Sequence, residues 1–164
     1  MTASDHLIFM EKAFFEAREA FEADEVPIGA LVVKDNQIIG RGRNQTETLK
    51  DATAHAEMIA ITSAAEYTGD WRLDDCILYS TIEPCAMCAG AAVLSRIKTI
   101  VYGAPDIRFG ACGTLFEVPT DPRLNHRIEI ISGVMGEEAA ELMQLFFRRI
   151  RQKKDNSKNQ GGIQ

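Results

Sequence analysis

The segment Cys76–Tyr102, CILYSTIEPCAMCAGAAVLSRIKTIVY, decides the fold. Cys76–Ser80 is a short apolar run of strand length. Pro84 reads as a helix start, where its missing N–H costs nothing. Ala86–Leu94 is small and apolar, so a helix there packs closely against a sheet. Thr99–Tyr102 is apolar again and reads as a second strand. A strand, a helix and a strand in this order predict a parallel, right-handed unit.

The flanking sequence adds elements on both sides. Residues 5–23 repeat apolar side chains at Met10, Ala13, Phe14, Ala17 and Phe21, which is helical spacing. Pro27 and Gly29 punctuate that helix, and Ile28–Val33 reads as a buried strand. Asp35-Asn36 is a turn signal, and Gln37–Gly42 returns as the second strand of a hairpin. Residues 43–53 are polar and irregular. Ala54–Ala65 reads as a helix with Thr53 as its N-cap.

After the central unit, residues 103–126 form a long Gly- and Pro-punctuated loop, a length that usually signals function. Arg127–Ile131 reads as a fifth strand. A last helix, about Gly136–Arg151, carries Ala139, Leu142, Leu145, Phe146 and Ile150 as its inner stripe. The expected class is α/β: a three-layer α/β/α sandwich, with a five-stranded mixed sheet and helices on both faces. One domain is expected over residues 1–154, followed by a disordered polar tail over 155–164.

The central segment also carries chemistry. Glu83-Pro84-Cys85-Ala86-Met87-Cys88 contains P-C-x-x-C, and His55-Ala56-Glu57 lies about 30 residues before it. Cys85 and Cys88 are three apart, so at a first helical turn both sulfurs face one point. A helix N-terminus also favours thiolate over thiol. His55 and Glu57 are two apart and would diverge within a regular helix. Both reach one site only if His55 sits at the helix tip, which is the expected placement. His55, Cys85 and Cys88 would then hold one Zn²⁺ with a fourth position open to water. Glu57 would be the catalytic proton carrier. A zinc that only staples the fold would want a fourth protein ligand, and His6, His126 and Cys112 lack ligand spacing to the cluster. Cys76 and Cys112 read as small core residues.

Composition narrows the class. At 46% hydrophobic and 26% charged, the chain is globular and not disordered. No apolar run approaches a membrane span, and Met1-Thr-Ala-Ser-Asp5 lacks a basic signal region, so a soluble intracellular protein is expected, with the compartment otherwise open. The net charge of −6 argues against a whole-surface nucleic-acid binder. The charge is uneven, however. Acidic residues crowd positions 5–25, while Arg148, Arg149, Arg151, Lys153 and Lys154 close the last helix. Those cations fit either an RNA partner or a solvated helix end that favours positive charge.

H-x-E followed by P-C-x-x-C is the recognised signature of zinc nucleobase deaminases. From about Val26 to Arg151 the chain resembles the bacterial tRNA-specific adenosine deaminases, which convert the wobble adenosine of an anticodon to inosine. The resemblance is carried by Glu25-Val-Pro-Ile-Gly-Ala30, Thr53–Glu57, Glu83–Gly90, Ser95-Arg-Ile97, Val101–Ala104, Asn125-His-Arg127 and Phe146-Phe-Arg-Arg149. The zinc motifs alone are shared with cytidine and guanine deaminases, so action on a free base is the alternative. The resemblance implies a cytidine-deaminase-like fold, one zinc per subunit, a homodimer and a tRNA anticodon stem-loop as partner. It implies that Asn44 hydrogen-bonds the flipped nucleotide and that Pro27 and Ile28 wall the base. It also implies that Asp106 contacts the nucleotide backbone, and that Asn125, Phe147 and Arg149 surround the anticodon loop. Read without it, Asn44 is a turn residue, Pro27 a helix terminator and Asp106 a solvated carboxylate. Phe146 fits the inner stripe, which leaves Phe147 as the contact. The chain departs from the family at Ala52, where Pro is frequent, and at Pro105, where Arg is frequent.

Overall fold

Asp35 and Asn36 join β1 (Gly29–Lys34) to β2 (Gln37–Arg43) with positive φ angles of 48° and 60°. A tight hairpin needs this pair of left-handed residues, and Asn and Asp adopt the conformation more readily than most. The computed structural model describes residues 1–160. β1 pairs on its other side with β3 (Ile77–Ile82), again antiparallel. β3 runs parallel to β4 (Thr99–Ala104), and β4 runs parallel to β5 (Glu129–Ile131). The sheet is therefore mixed, in the order β2-β1-β3-β4-β5.

Alternation along the strands sorts side chains onto two faces. Val32, Leu78 and Ile100 pack against α3 (Ala56–Thr68) and α4 (Ala86–Leu94). Leu31, Val33, Tyr79 and Val101 face Phe9, Met10 and Ala13 of α1 (Ala3–Glu22). Ile82 and Ala104 meet Phe14 of α1 and Ala139 of α5 (Gly136–Gln160). The sandwich is three layers deep, as the sequence predicts.

α3 lies backbone-to-backbone on β2. A Cβ added at Gly42 would sit 2.0 Å from the Ala56 carbonyl oxygen, and one at Gly40 would sit 2.3 Å from that of Ala60. Alanines at 56, 60 and 64 supply the matching small face. This contact fixes where the N-terminus of α3 stands, and with it His55 and Glu57.

Several boundaries differ from expectation. The N-cap of α3 is His55 and not Thr53. Thr53 is held by Asp51 instead, whose Oδ1 accepts from its backbone N–H at 2.8 Å and its hydroxyl at 2.7 Å. Pro84 stands just before Cys85, the N-cap of α4, and so outside the helix. The polar stretch 43–53 contains a single helical turn, α2 (Thr46–Leu49). α5 runs on through Gln160, so positions 155–160 of the expected disordered tail are helical. No Gly or Pro interrupts the chain between Gly136 and Gly161, and the Ser157 hydroxyl donates to the Lys154 carbonyl at 2.8 Å. Low hydrophobicity prevents burial of this stretch but not helix formation. Residues 161–164 of that tail lie outside the described residues. Among the described residues no helix is long and apolar enough to cross a membrane.

Candidate active site

The N-termini of α3 and α4 bring the three expected ligands together. His55 caps α3 with extended backbone (φ −77°, ψ 152°), and Cys85 caps α4 likewise (φ −74°, ψ 175°). Cys88 lies in the first turn of α4. His55 Nδ1 is 3.6 Å from Cys85 Sγ and 3.6 Å from Cys88 Sγ. A tetrahedral ion bonded at about 2.3 Å to sulfur and about 2.0 Å to nitrogen sets those atoms roughly 3.5 Å apart, close to the separations seen. The donor set therefore fits a metal ion of zinc's size and softness. Among the described residues no further His, Cys, Asp or Glu joins the group, which leaves a fourth position without a protein ligand.

The electrostatics suit a cation. The hydrogen bond from the Cys88 thiol, together with that from His55, pulls Cys85 down to about 4. The same Cys88–Cys85 bond, together with burial, pushes Cys88 up. The pair thus shares one proton and carries its charge on Cys85. The Cys85 bond also raises His55 above the usual imidazole value. A cation bound here would displace the remaining thiol proton, as metal ligation by cysteine does generally.

Glu57 stands in the first turn of α3, and burial pushes its carboxyl up to about 7. No cation pairs with it among the described residues. Ser80, fully buried on β3, places its hydroxyl 3.3 Å from Glu57 Oε1 and 2.7 Å from the Ile82 carbonyl. A buried carboxyl with a raised pKa can take and return a proton near neutral pH.

These groups open onto a cleft of about 920 Å³. Ile28, Asn44, His55, Glu57, Cys85, Asp106 and Phe147 line it, while Cys88 is buried beneath. Three expected residues do not reach it. Pro27 is buried, and Val26 lines the wall in its place. Asn125 is exposed and accepts from Arg96 Nη1 at 2.9 Å. Arg96 lies just past the C-terminal end of α4, a nine-residue helix whose other end carries the ligands. The two ends are therefore about 14 Å apart at 1.5 Å per residue. Arg149 is turned inward over Phe21 and pairs with Asp24 at 3.0 Å. The cations on the rim of the cleft are instead Arg108, Arg148 and Arg151. Arg108, three residues after Pro105, puts positive charge on that part of the rim.

Phe146 is buried and Phe147 lines the cleft, as the stripe predicts. Asp106 also shapes its own loop, since its Oδ1 accepts from the backbone N–H groups of Arg108 at 2.8 Å and Phe109 at 3.2 Å.

Two buried carboxylates escaped sequence reasoning. Glu83 accepts from the backbone N–H groups of Asp106 (3.0 Å), Cys112 (2.9 Å) and Thr114 (3.1 Å), and from the Thr114 hydroxyl. Glu25 accepts from Thr48 N at 2.6 Å, Glu47 N at 3.2 Å and Asn44 Nδ2 at 3.4 Å. The available signal was an acidic residue beside an apolar strand, at Ile82-Glu83 and at Glu25-Val26-Pro27-Ile28.

The model of the MafB19-like deaminase family matches residues 4–151 of the chain. A tRNA-specific adenosine deaminase of Streptococcus pyogenes is 46% identical over 149 residues, covering 91% of this chain and 94% of that protein. One from Bacillus subtilis (strain 168) is 46% identical over 147 residues, covering 90% of this chain and 91% of that protein. Among solved structures, one comes from work on A-to-I editing by tRNA deaminases at the wobble position of transfer RNA. It is 45% identical with a TM-score of 0.79, and covers 82% of this chain and 97% of that one.

Proposed function

The chain belongs to the deaminase family that contains the tRNA-specific adenosine deaminases, and from this premise we propose that it converts adenosine to inosine at the wobble position of a tRNA anticodon loop. Water is consumed and ammonia is released. The observation that carries this reading is the convergence of His55, Cys85, Cys88 and Glu57 at the head of a cleft whose rim holds Arg108, Arg148 and Arg151.

His55 Nδ1 and the sulfurs of Cys85 and Cys88 would hold one Zn²⁺. Zinc there supplies Lewis acidity that lowers the pKa of water towards neutrality. Glu57 takes a proton from the attacking water and delivers it to N1 of the adenine ring. It then carries a second proton to the departing amine, so that ammonia leaves and the ring keeps oxygen at that carbon. Ser80 holds Glu57 Oε1 within 3.3 Å during these transfers. Ile28 and Val26 wall the base, Asn44 binds the nucleotide, and Phe147 and Asp106 contact the loop beside it. The rim arginines hold phosphates. Anticodon-loop bases are unpaired already, so extrusion of one costs little.

The segment 105–124 exposes Ile107, Phe109, Leu115 and Phe116, which supports burial of this face against a second copy in a homodimer. A tRNA substrate places the enzyme in the cytoplasm.

The test is incubation of zinc-loaded protein with an anticodon stem-loop carrying adenosine at the wobble position. Inosine formed by the wild type and not by Glu57→Ala supports the reading. Activity on free guanine with none on the stem-loop overturns it.

A further inference from the structure

Glu25 is almost wholly buried and stands opposite Asn44 across the N-terminal turn of α2. Both of its oxygens already accept backbone hydrogens: Oε1 from Thr48 N–H at 2.6 Å and Oε2 from Glu47 N–H at 3.2 Å. A carboxylate used as an acceptor on both oxygens can face only a donor. The Asn44 side chain beside it must therefore present its amine, and Nδ2 lies 3.4 Å from Glu25 Oε2 and 3.5 Å from Thr46 Oγ1. An amide turned the other way would set two acceptors against each other in a buried site, which costs roughly the full desolvation of both.

The orientation of the Asn44 amide is thus imposed by Glu25, and its consequence falls on the cleft. Asn44 Oδ1 has no hydrogen-bond partner among the described residues, and it is not sealed from solvent. Asn44 lines the same cleft as His55 and Glu57. The polar atom that the residue offers to a ligand is an acceptor, so the ligand must bring a donor. An adenosine within an RNA chain carries two conventional donors, its 6-amino group and its 2′-hydroxyl. The amino group is on the carbon that reacts at the His55–Cys85–Cys88 end, which leaves the hydroxyl.

We propose that Glu25 is a positioning residue that fixes the polarity of Asn44, and that Asn44 Oδ1 accepts the 2′-hydroxyl hydrogen of the target nucleotide. The inference rests on the RNA substrate of the proposed function. It adds that Glu25 makes the site specific for ribose, because an acceptor that the bound nucleotide covers without supplying a donor is strongly disfavoured.

The experiment uses three stem-loops with ribose, 2′-deoxyribose or 2′-fluoro-2′-deoxyribose at the target adenosine, read as kcat and KM for inosine formation. Fluorine keeps a polar atom in place but removes the donor. With wild type, both modified substrates should lose roughly 10- to 100-fold in kcat/KM, the cost of one acceptor covered by the bound nucleotide and left unpaired. With Glu25→Gln, whose amide can donate or accept, Asn44 is free to turn. The penalty should shrink to less than about threefold, with zinc content unchanged and the loss on the ribose substrate falling mainly on KM. Equal rates on all three substrates by wild type overturn the inference alone, whether or not the variant folds. A full penalty retained in Glu25→Gln overturns the role of Glu25. No inosine from the all-ribose stem-loop overturns the proposed function and this inference with it.

Discussion

Arg149 lies over the ring of Phe21, its guanidinium carbon 3.9 Å from the ring centre, and it also donates to the Phe21 carbonyl. The same guanidinium reaches Asp24 at 3.0 Å, so α5 is clamped to the end of α1. A basic residue that reads as an RNA contact is thereby a fold contact. Arg149→Ala should lower unfolding stability by about 1–3 kcal/mol, a cost typical of breaking a partly buried network. A thermal melt checks this. Arg148→Ala and Arg151→Ala should melt like the wild type and instead weaken stem-loop binding, with a shallower salt dependence.

Asp24 also meets Lys153 Nζ at 2.8 Å, and that hydrogen bond holds its carboxyl below the ordinary value. A depressed carboxylate contributes stability above its ordinary pKa and loses it as the pH falls through the lowered value. Wild type should therefore be more stable than Asp24→Asn at neutral pH. The difference should close as the pH falls below about 4, the ordinary carboxylate range. Paired urea titrations across that range decide it, and a gap that persists unchanged in acid would remove Asp24 from the account.

Glu83 gathers both ends of the 106–114 loop onto one buried carboxylate. In Glu83→Gln an amide nitrogen would face a backbone N–H, donor against donor, at a cost of about 1–3 kcal/mol. The loop carries Asp106 and Arg108 on the cleft wall, whereas the candidate metal ligands stand on helix ends. The variant should therefore raise KM for the stem-loop several-fold while its zinc content stays at wild type. Metal analysis alongside steady-state kinetics separates the two effects.

Gly42 touches α3 where that helix presents its active-site end, with the Ala56 carbonyl 2.0 Å from any added Cβ. Gly42→Ala should cost roughly 1–3 kcal/mol by overpacking. It should also reduce kcat by more than the lost stability explains, because α3 shifts with His55 and Glu57 on it. Activity measured well below the melting temperature tests this.

Chelation should abolish deamination, and added Zn²⁺ should restore it. Removal of the ion should also expose Cys85 to thiol reagents, since its low pKa keeps it as thiolate, whereas buried Cys76 and Cys112 stay unreactive. Alkylation mapped by mass spectrometry reads this out, and labelling of Cys112 ahead of Cys85 would count against the assigned ligand set.

Much of this was legible from residues in order. The helix at Met10–Phe21, the Asp35-Asn36 hairpin and the strand–helix–strand unit around Pro84 follow local rules of period and turn chemistry. The metal group was legible for the same reason. Cys85 and Cys88 share a helical turn, and the two-residue spacing of His55 and Glu57 demanded the helix tip where His55 is found. Positions 155–160 are helical against expectation, because polarity argues against burial but says little about an exposed helix.

Sequence by itself determined the element order and the candidate metal group of His55, Cys85 and Cys88 with Glu57 beside it, because each depends on spacings of a few residues. Tertiary structure alone decided which charges face the cleft. Arg149 turned inward to Phe21 while Arg108, Arg148 and Arg151 took the rim, and Glu25 and Glu83 went to ground beneath loops far along the chain. A charged side chain's role depends on which distant backbone groups can satisfy it. That pairing is settled by how helices and loops pack and not by neighbours in sequence.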